Sequence, residues 1–475
     1  MQSPDTGAPE LKRALGWASA GAIMAGSVIG TAIFLVPSTI AREVDSVGWT
    51  FFVWVFGGLL SLAGALSYAE LGAAFPEAGG EYAFLRRAYG PLWGFLFGWQ
   101  QVVIGKTGSI AAIATGFAIF LGFFVDGLQE EWLRLPWGEG GWGVTGLQLA
   151  AMTAVASFSL INCFGVGRGG AVQSFLTVLK VAAIVALAVL VFGAGKGSWD
   201  HFRPAPESPA WAGRGVGAFA AALAAVLWAY DGWNNLTLVG SEIRDPERTI
   251  PKVFLLGLLG VMGVYLLANF AYFYALPLEA VKRSERVAQD VAQIVFGDWG
   301  GAAITAAAVV STLAALNGSI LSGARVSYAM ARDGLFFGPL ARLNQAYRAP
   351  VNALIVQALF ACFLILLFGQ DRAGFDRLFN YAVFGLWAFY GITALAVIVL
   401  RRKSPEVARP YHVAGYPWVP LIFGAVAGLF CLSMIFKNPA ETGIGLAFLL
   451  LGIPFYLYWR SNGEAEACRE RGRTE

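Results

Sequence analysis

Two short stretches carry the chemistry of this chain: Gly26-Ser27-Val28-Ile29-Gly30-Thr31 near the start, and Tyr230-Asp231-Gly232-Trp233-Asn234-Asn235 near the middle. Each interrupts a segment otherwise apolar enough to lie in hydrocarbon. An unpaired backbone group there costs several kcal/mol, so non-helical backbone persists only where it is packed in protein or lines a cavity. Glycines at 26 and 30 free the backbone to leave the helix. Where the chain re-enters a helix after Thr31, the new N-terminus offers unpaired N–H groups and a positive dipole end, which suit a carboxylate. The facing half-helix ends in unpaired carbonyls, which suit an ammonium. Two such breaks can hold both charged ends of an amino acid zwitterion with main chain alone. The alternative use of such small residues is close helix packing.

The elements that position these breaks are membrane helices. Of 475 residues, 57% are hydrophobic and 13% charged, about half the charge of a soluble domain, and the mean hydropathy is +0.63. The 16 Trp and 15 Tyr suit an aromatic belt at span ends. Cys163, Cys362, Cys431 and Cys468 fall in or beside apolar spans or in the C-terminal tail, which predicts free thiols. His201 and His412 are far apart, so no metal site is expected. No HExxH, Walker A, GxSxG or dinucleotide-binding pattern occurs, which argues against an enzyme, a cofactor or an ATP-driven pump. Nothing points to nucleic acid; membrane lipid surrounds the chain.

The pattern predicts an all-α polytopic membrane protein with about twelve spans of the ~20 residues a bilayer requires. They fall near 15–41, 47–74, 91–124, 145–165, 171–193, 215–240, 252–276, 300–331, 350–369, 376–400, 417–437 and 441–459. With both termini cytoplasmic, 19 of the 33 Lys and Arg lie inside and 11 outside, as the positive-inside rule asks. The first and sixth spans are the broken ones. They open two halves, 15–193 and 215–400, which fits an inverted repeat of five helices each. Residues 1–14 form an N-tail, 417–459 two accessory helices and 460–475 a C-tail, all within one integral domain, 1–475.

In sequence the chain resembles the L-type amino acid transporters of the amino acid–polyamine–organocation superfamily. Gly26-Ser-Val-Ile-Gly-Thr-Ala-Ile-Phe34 is similar to the first-helix motif GSxIGSGIF, and Gly79-Gly-Glu-Tyr-Ala-Phe-Leu-Arg-Arg-Ala-Tyr-Gly-Pro91 to GGxYxYLxxAFGP. Trp228-Ala-Tyr-Asp-Gly-Trp233 follows in the expected order, and Ser241-Glu-Ile-Arg-Asp-Pro-Glu-Arg-Thr-Ile-Pro251 is close to EEIKNPxRNxP. The resemblance implies a leucine-transporter-type fold in which helices 1 and 6 alternate access around a central amino acid. It implies that Thr31 and Ala32, beside Gly30, bind the carboxylate through N–H groups. The carbonyls of Val28, Trp228 and Asp231, with Ala229 alongside, would take the ammonium, and Trp228 would gate the site. It also implies that Lys180, in the fifth span, stands in for the sodium ion of sodium-coupled relatives. Two departures are Ala32, where relatives carry glycine, and Leu386, where several carry a polar residue.

Other intramembrane polar groups have open roles. Lys106 serves either a structural ion pair or the substrate. Asp231 can bind an amine or a proton, or cap the following half-helix, the last being preferred. Arg325 is expected to snorkel, and Glu70 to pair with a basic loop residue. Tyr265 matches a site-lining tyrosine of relatives or merely packs. Asn317-Gly-Ser319 is expected to loosen span eight beside the substrate side chain. Val28, Trp228, Ala315 and Leu386 imply an apolar wall without acid or base, hence a neutral side chain. The expected function is sodium-independent transport of neutral L-amino acids, by exchange or proton coupling, in the cell inner membrane. A cationic amino acid or polyamine carrier is one alternative; a receptor or channel is another. The loop from Val125 to Val144 lacks cysteine, so no disulfide-linked heavy-chain partner is expected.

Overall fold

A computed structural model describes residues 10–135, 142–203, 216–370, 372–437 and 439–474; side chains are described for these except at 135, 142, 216, 372–382, 441 and 462–474. Cys468 therefore lies outside the described side chains, whereas Cys163, Cys362 and Cys431 are free thiols. Ten helices are long and apolar enough to cross a membrane among the described residues. An eleventh crossing is the pair α1 (Trp17–Val28) and α2 (Ala32–Val44), bent by 45° at their break. The chain is thus a multi-pass membrane protein. The remaining expected span, the sixth, is split. Its first half, α9 (Val216–Ala229), is too short to cross alone, and its second half is only the single turn α10 (Asn235–Leu238).

The other helices follow with short connections. They are α3 (Val47–Ala74), α4 (Glu81–Tyr89), α5 (Pro91–Gln100), α6 (Lys106–Leu121), α7 (Gly146–Cys163) and α8 (Val166–Ala194). After the sixth crossing come α11 (Pro246–Ala275), α12 (Leu278–Arg283), α13 (Val287–Phe296), α14 (Asp298–Arg332) and α15 (Val351–Phe368). The last three are α16 (Arg372–Lys403), α17 (Trp418–Lys437) and α18 (Pro439–Thr474). Between α6 and α7 a small antiparallel hairpin pairs β1 (Glu131–Leu135) with β2 (Trp142–Thr145). Helices α17 and α18 lie outside the bundle against α3, α5 and α16. Exposed Trp17, Trp299 and Trp418 sit at helix ends, where an interfacial belt belongs.

The third crossing contains a feature the sequence reading missed. Gln101–Gly105 forms a turn of π-helix between α5 and α6. Such bulges turn side chains off the regular helical face, and this one aims Gln101 and Lys106 inward. Span eight differs from expectation in the opposite sense. α14 runs unbroken through Asn317-Gly318-Ser319. Gly318 serves close approach there: a methyl group on it would come within 2.7 Å of Ser27 Oγ.

On the face where the chain begins, buried charges tie distant parts of the chain together. Arg325, expected to reach water, is fully buried. It clasps Glu242 at 2.7 and 3.0 Å. Water cannot reach that depth, so the guanidinium takes a carboxylate instead. Leu15 donates its N–H to the Glu242 carbonyl at 2.9 Å, and Arg244 returns one to the Leu15 carbonyl at 2.8 Å. Glu70 meets its expected basic partner in Arg401, at 2.7 Å through both oxygens. On the other face Lys282 of α12 bonds Asp45 at 2.5 Å and Glu279 at 2.7 Å. Hydrogen bonds to Asp45, then Glu279, hold this ammonium above its ordinary pKa.

Removing one partner of a buried pair strands the other charge. Arg325→Met is expected to lower stability by about 3–5 kcal/mol, read as thermal unfolding in detergent, and the double change with Glu242→Gln to recover part of it. A single variant as stable as the parent would contradict the burial argument.

Candidate functional site

The site is built from the backbone of the first break. Ile29, with φ −73° and ψ 87°, takes the chain out of α1, and Gly30 donates to the Val28 carbonyl at 2.8 Å. Gly26 does not open the helix, contrary to the sequence reading. It lies inside α1, where a methyl group would collide with Gln173 and Thr177 of α8. Its small size brings α8 close enough for Lys180 to reach the break. The Lys180 ammonium donates to the Gly26 carbonyl at 2.6 Å and also to the Ile29 carbonyl. Ser311 of α14 donates to the carbonyls of Ile29 and Gly30 at 3.2 and 3.1 Å. The carbonyl side of this break is thus satisfied by protein. The start of α2, at Thr31 and Ala32, faces the cavity.

The second break is pinned by aromatic packing. Trp233 is buried against Tyr68, Tyr390, Phe254 and Phe423, with ring centroids 4.8 to 6.0 Å apart. Gly232 has φ +101°, and a methyl group on it would stand 3.0 Å from the Ser27 carbonyl. Only glycine lets the two breaks touch in this way. Tyr265 joins them, donating to the carbonyls of Val28 at 3.0 Å and Ala229 at 2.8 Å.

Between the breaks lies a cavity of about 120 Å³, several times what one water needs. Of the residues named from sequence, Val28, Gly30, Thr31, Ala32, Trp228, Asp231 and Lys106 line it. Ala229, Tyr265 and Asn317 do not. Tyr265 is spent on bridging the breaks, and Asn317 ties α14 to α8 through Gly169 and Gln173, at 3.1 and 2.8 Å. Lys180 acts from behind the first break. The Val28 carbonyl already accepts two donors and that of Trp228 accepts Asp231 N–H, so neither is fully free for an ammonium.

The wall is more polar than the apolar one expected. Gln101, Ser109, Thr312, Ser319 and Tyr390 contribute, together with Asn234 and Asn235. Sequence reasoning could have found Gln101 and Ser109 from the run Gln100-Gln101 through Ser109 within an apolar span. Asp231 does not cap α10: its carboxylate bonds Tyr390 of α16 instead, because the four-residue α10 starts beyond its reach. One of its oxygens, Oδ1, is buried without a partner. Lys106 donates to Asn235 Oδ1. Outside the cavity lining, behind Asn234, Glu81 is fully buried and accepts from Asn234 Nδ2 at 3.0 Å and Tyr68 OH at 3.3 Å. Burial, first of all, pushes the Glu81 carboxyl up to about 7. Among the described residues no group of three or more metal-ligating side chains occurs.

The family model for amino acid permeases matches residues 15–455. The chain belongs to the amino acid permease family. Curated relatives agree along nearly the whole length. The permease is 32% identical to the serine/threonine exchanger SteT of Bacillus subtilis over 96% of this chain and 98% of that protein. It is 31% identical to the human large neutral amino acids transporter small subunit 2, covering 96% and 82%. It is 30% identical to the human b(0,+)-type amino acid transporter 1, covering 96% and 90%. The resemblance to L-type transporters read from the motifs is therefore correct, and the permease is an amino acid transporter.

Gly232→Ala adds backbone strain of about 1–3 kcal/mol and pushes the breaks apart. Substrate uptake by this variant is expected to fall at least about tenfold, and thermal stability in detergent to fall by no more than that strain accounts for. Normal uptake would mean that the two breaks need not touch.

Proposed function

We propose that the permease is a sodium-independent exchanger of neutral L-amino acids that works by alternating access around the two breaks. One observation carries this reading. The Lys180 ammonium occupies the carbonyls behind the first break, a position where a bound cation would otherwise be needed, while the start of α2 remains open to the cavity. A fixed positive charge replaces the ion, so the substrate carboxylate binds without sodium. The polar hydroxyl and amide groups of the wall suit a small side chain with a hydroxyl, such as serine or threonine. That inference agrees with the name of the Bacillus relative.

In this reading the halves 15–193 and 215–400 form an inverted repeat, and 417–459 stand outside it. Both termini are cytoplasmic in the inner membrane, with no disulfide-linked partner and no enzymatic step. Asp231 favours a second reading. Its unpartnered oxygen beside the cavity offers a counter-charge to a cationic side chain.

Proteoliposomes loaded with unlabelled serine test the proposal. Labelled serine or alanine is expected to enter at the same rate with sodium or choline outside, and only weakly into empty vesicles. Lys180→Ala is expected to lose uptake at least about tenfold, since its buried carbonyls lose charge-assisted donors. Dependence on sodium, or equal uptake into empty vesicles, would contradict sodium-independent exchange.

A further inference from the structure

The cavity wall and the layer buried behind it hold more ionisable groups than substrate binding uses. Glu81 of α4, Lys106 of α6 and Asp231 of the second break are linked through side chains of that break. Asn234 bonds Glu81 and Asn235 bonds Lys106. Asp231 bonds Tyr390, and the Tyr390 ring lies 6.4 Å from that of Tyr68, which bonds Glu81. Lys106 acts on both carboxylates and is the cation of this cluster. The nearby Arg325 is committed to Glu242 and lends no charge. Around Glu81 the remaining titratable groups are Tyr68 of α3 and Tyr390 of α16, both neutral donors.

Charge counting gives the consequence. Two carboxylates against one ammonium leave one negative charge in excess, in a place where excess charge is costly. Each carboxylate also keeps one buried oxygen without a partner, Glu81 Oε2 and Asp231 Oδ1. An unpartnered buried carboxylate oxygen is a place where a proton can be held without breaking an existing hydrogen bond.

Resting on the reading of the cavity as the amino acid site, we infer that this cluster binds one proton, held by Glu81 and Asp231 together, which a cationic substrate side chain displaces. With a neutral substrate the site carries a proton on one carboxyl oxygen. When a side-chain ammonium settles beside Asp231, that O–H bond breaks and the proton passes to water on the open side. Both loaded forms then carry the same charge across the membrane. Exchange of an external cationic amino acid for an internal neutral one moves one cation in and one proton out. Burial, which keeps the Glu81 carboxyl near about 7, places the exchange within reach of ordinary pH.

The test uses proteoliposomes of the full chain, loaded with alanine and the pH dye pyranine at about pH 6. External lysine is expected to alkalinise the lumen by about one proton per lysine without charging the membrane, whereas external serine enters with no pH change. Glu81→Gln is expected to abolish the alkalinisation, and Glu81→Asp to restore it. Thermal unfolding in detergent reports whether each variant is folded. Lysine entry that charges the membrane and leaves lumenal pH constant would overturn the inference, and so would exclusion of lysine. Failure of serine–alanine exchange in the parent would instead overturn the function proposed above.

Discussion

The structure depends on one constraint: backbone polar groups freed from helices at the centre of a membrane must each find a partner. At the first break the carbonyls are met by Lys180, Ser311 and Tyr265, and this leaves the N–H groups at the start of α2 as the vacant partners. In the proposed reading these N–H groups are the site for a carboxylate. Gly26 matters because its missing side chain lets α8 deliver the lysine. Gly232 matters because its positive φ lets the second break lie against the first. Tyr265 then joins the two, since one hydroxyl is shared between their carbonyls.

The same economy governs the buried charges. Arg325 with Glu242 and Arg401 with Glu70 are closed pairs, each with both carboxylate oxygens engaged. They hold the face on which the chain begins and leave nothing for a ligand. The cluster of Glu81, Lys106 and Asp231 is different, because its polar neighbours do not complete it. The closed pairs hold the fold together, and the incomplete cluster is the one assigned the proton above.

Much of this was legible in the sequence where a constraint acts locally. The broken helices show as glycine-rich interruptions of apolar runs, and the spans show as length. Lys180 was found by its motif, and its pairing with first-break carbonyls is where the structure places it. What was not legible depends on which residues meet across helices. Gly26 reads as a hinge until Gln173 and Thr177 are seen against it. The π-helical turn at Gln101–Gly105 has no composition of its own, yet it directs Gln101 and Lys106 into the cavity. Arg325 near a helix end reads as a snorkelling cation because its partner, Glu242, is 83 residues away in sequence. Asn317 and Tyr265 read as substrate-lining groups, but their partners lie on other helices.

The central claim is that main-chain N–H groups at the start of α2 hold the carboxylate of an amino acid. Competition binding with alanine and its amino alcohol tests it most directly, because the two share one side chain and one amine and differ only at the carboxylate. The account predicts that loss of the carboxylate weakens binding at least about tenfold, since it removes charge-assisted hydrogen bonds. Binding by the amino alcohol as tight as that of alanine would contradict it.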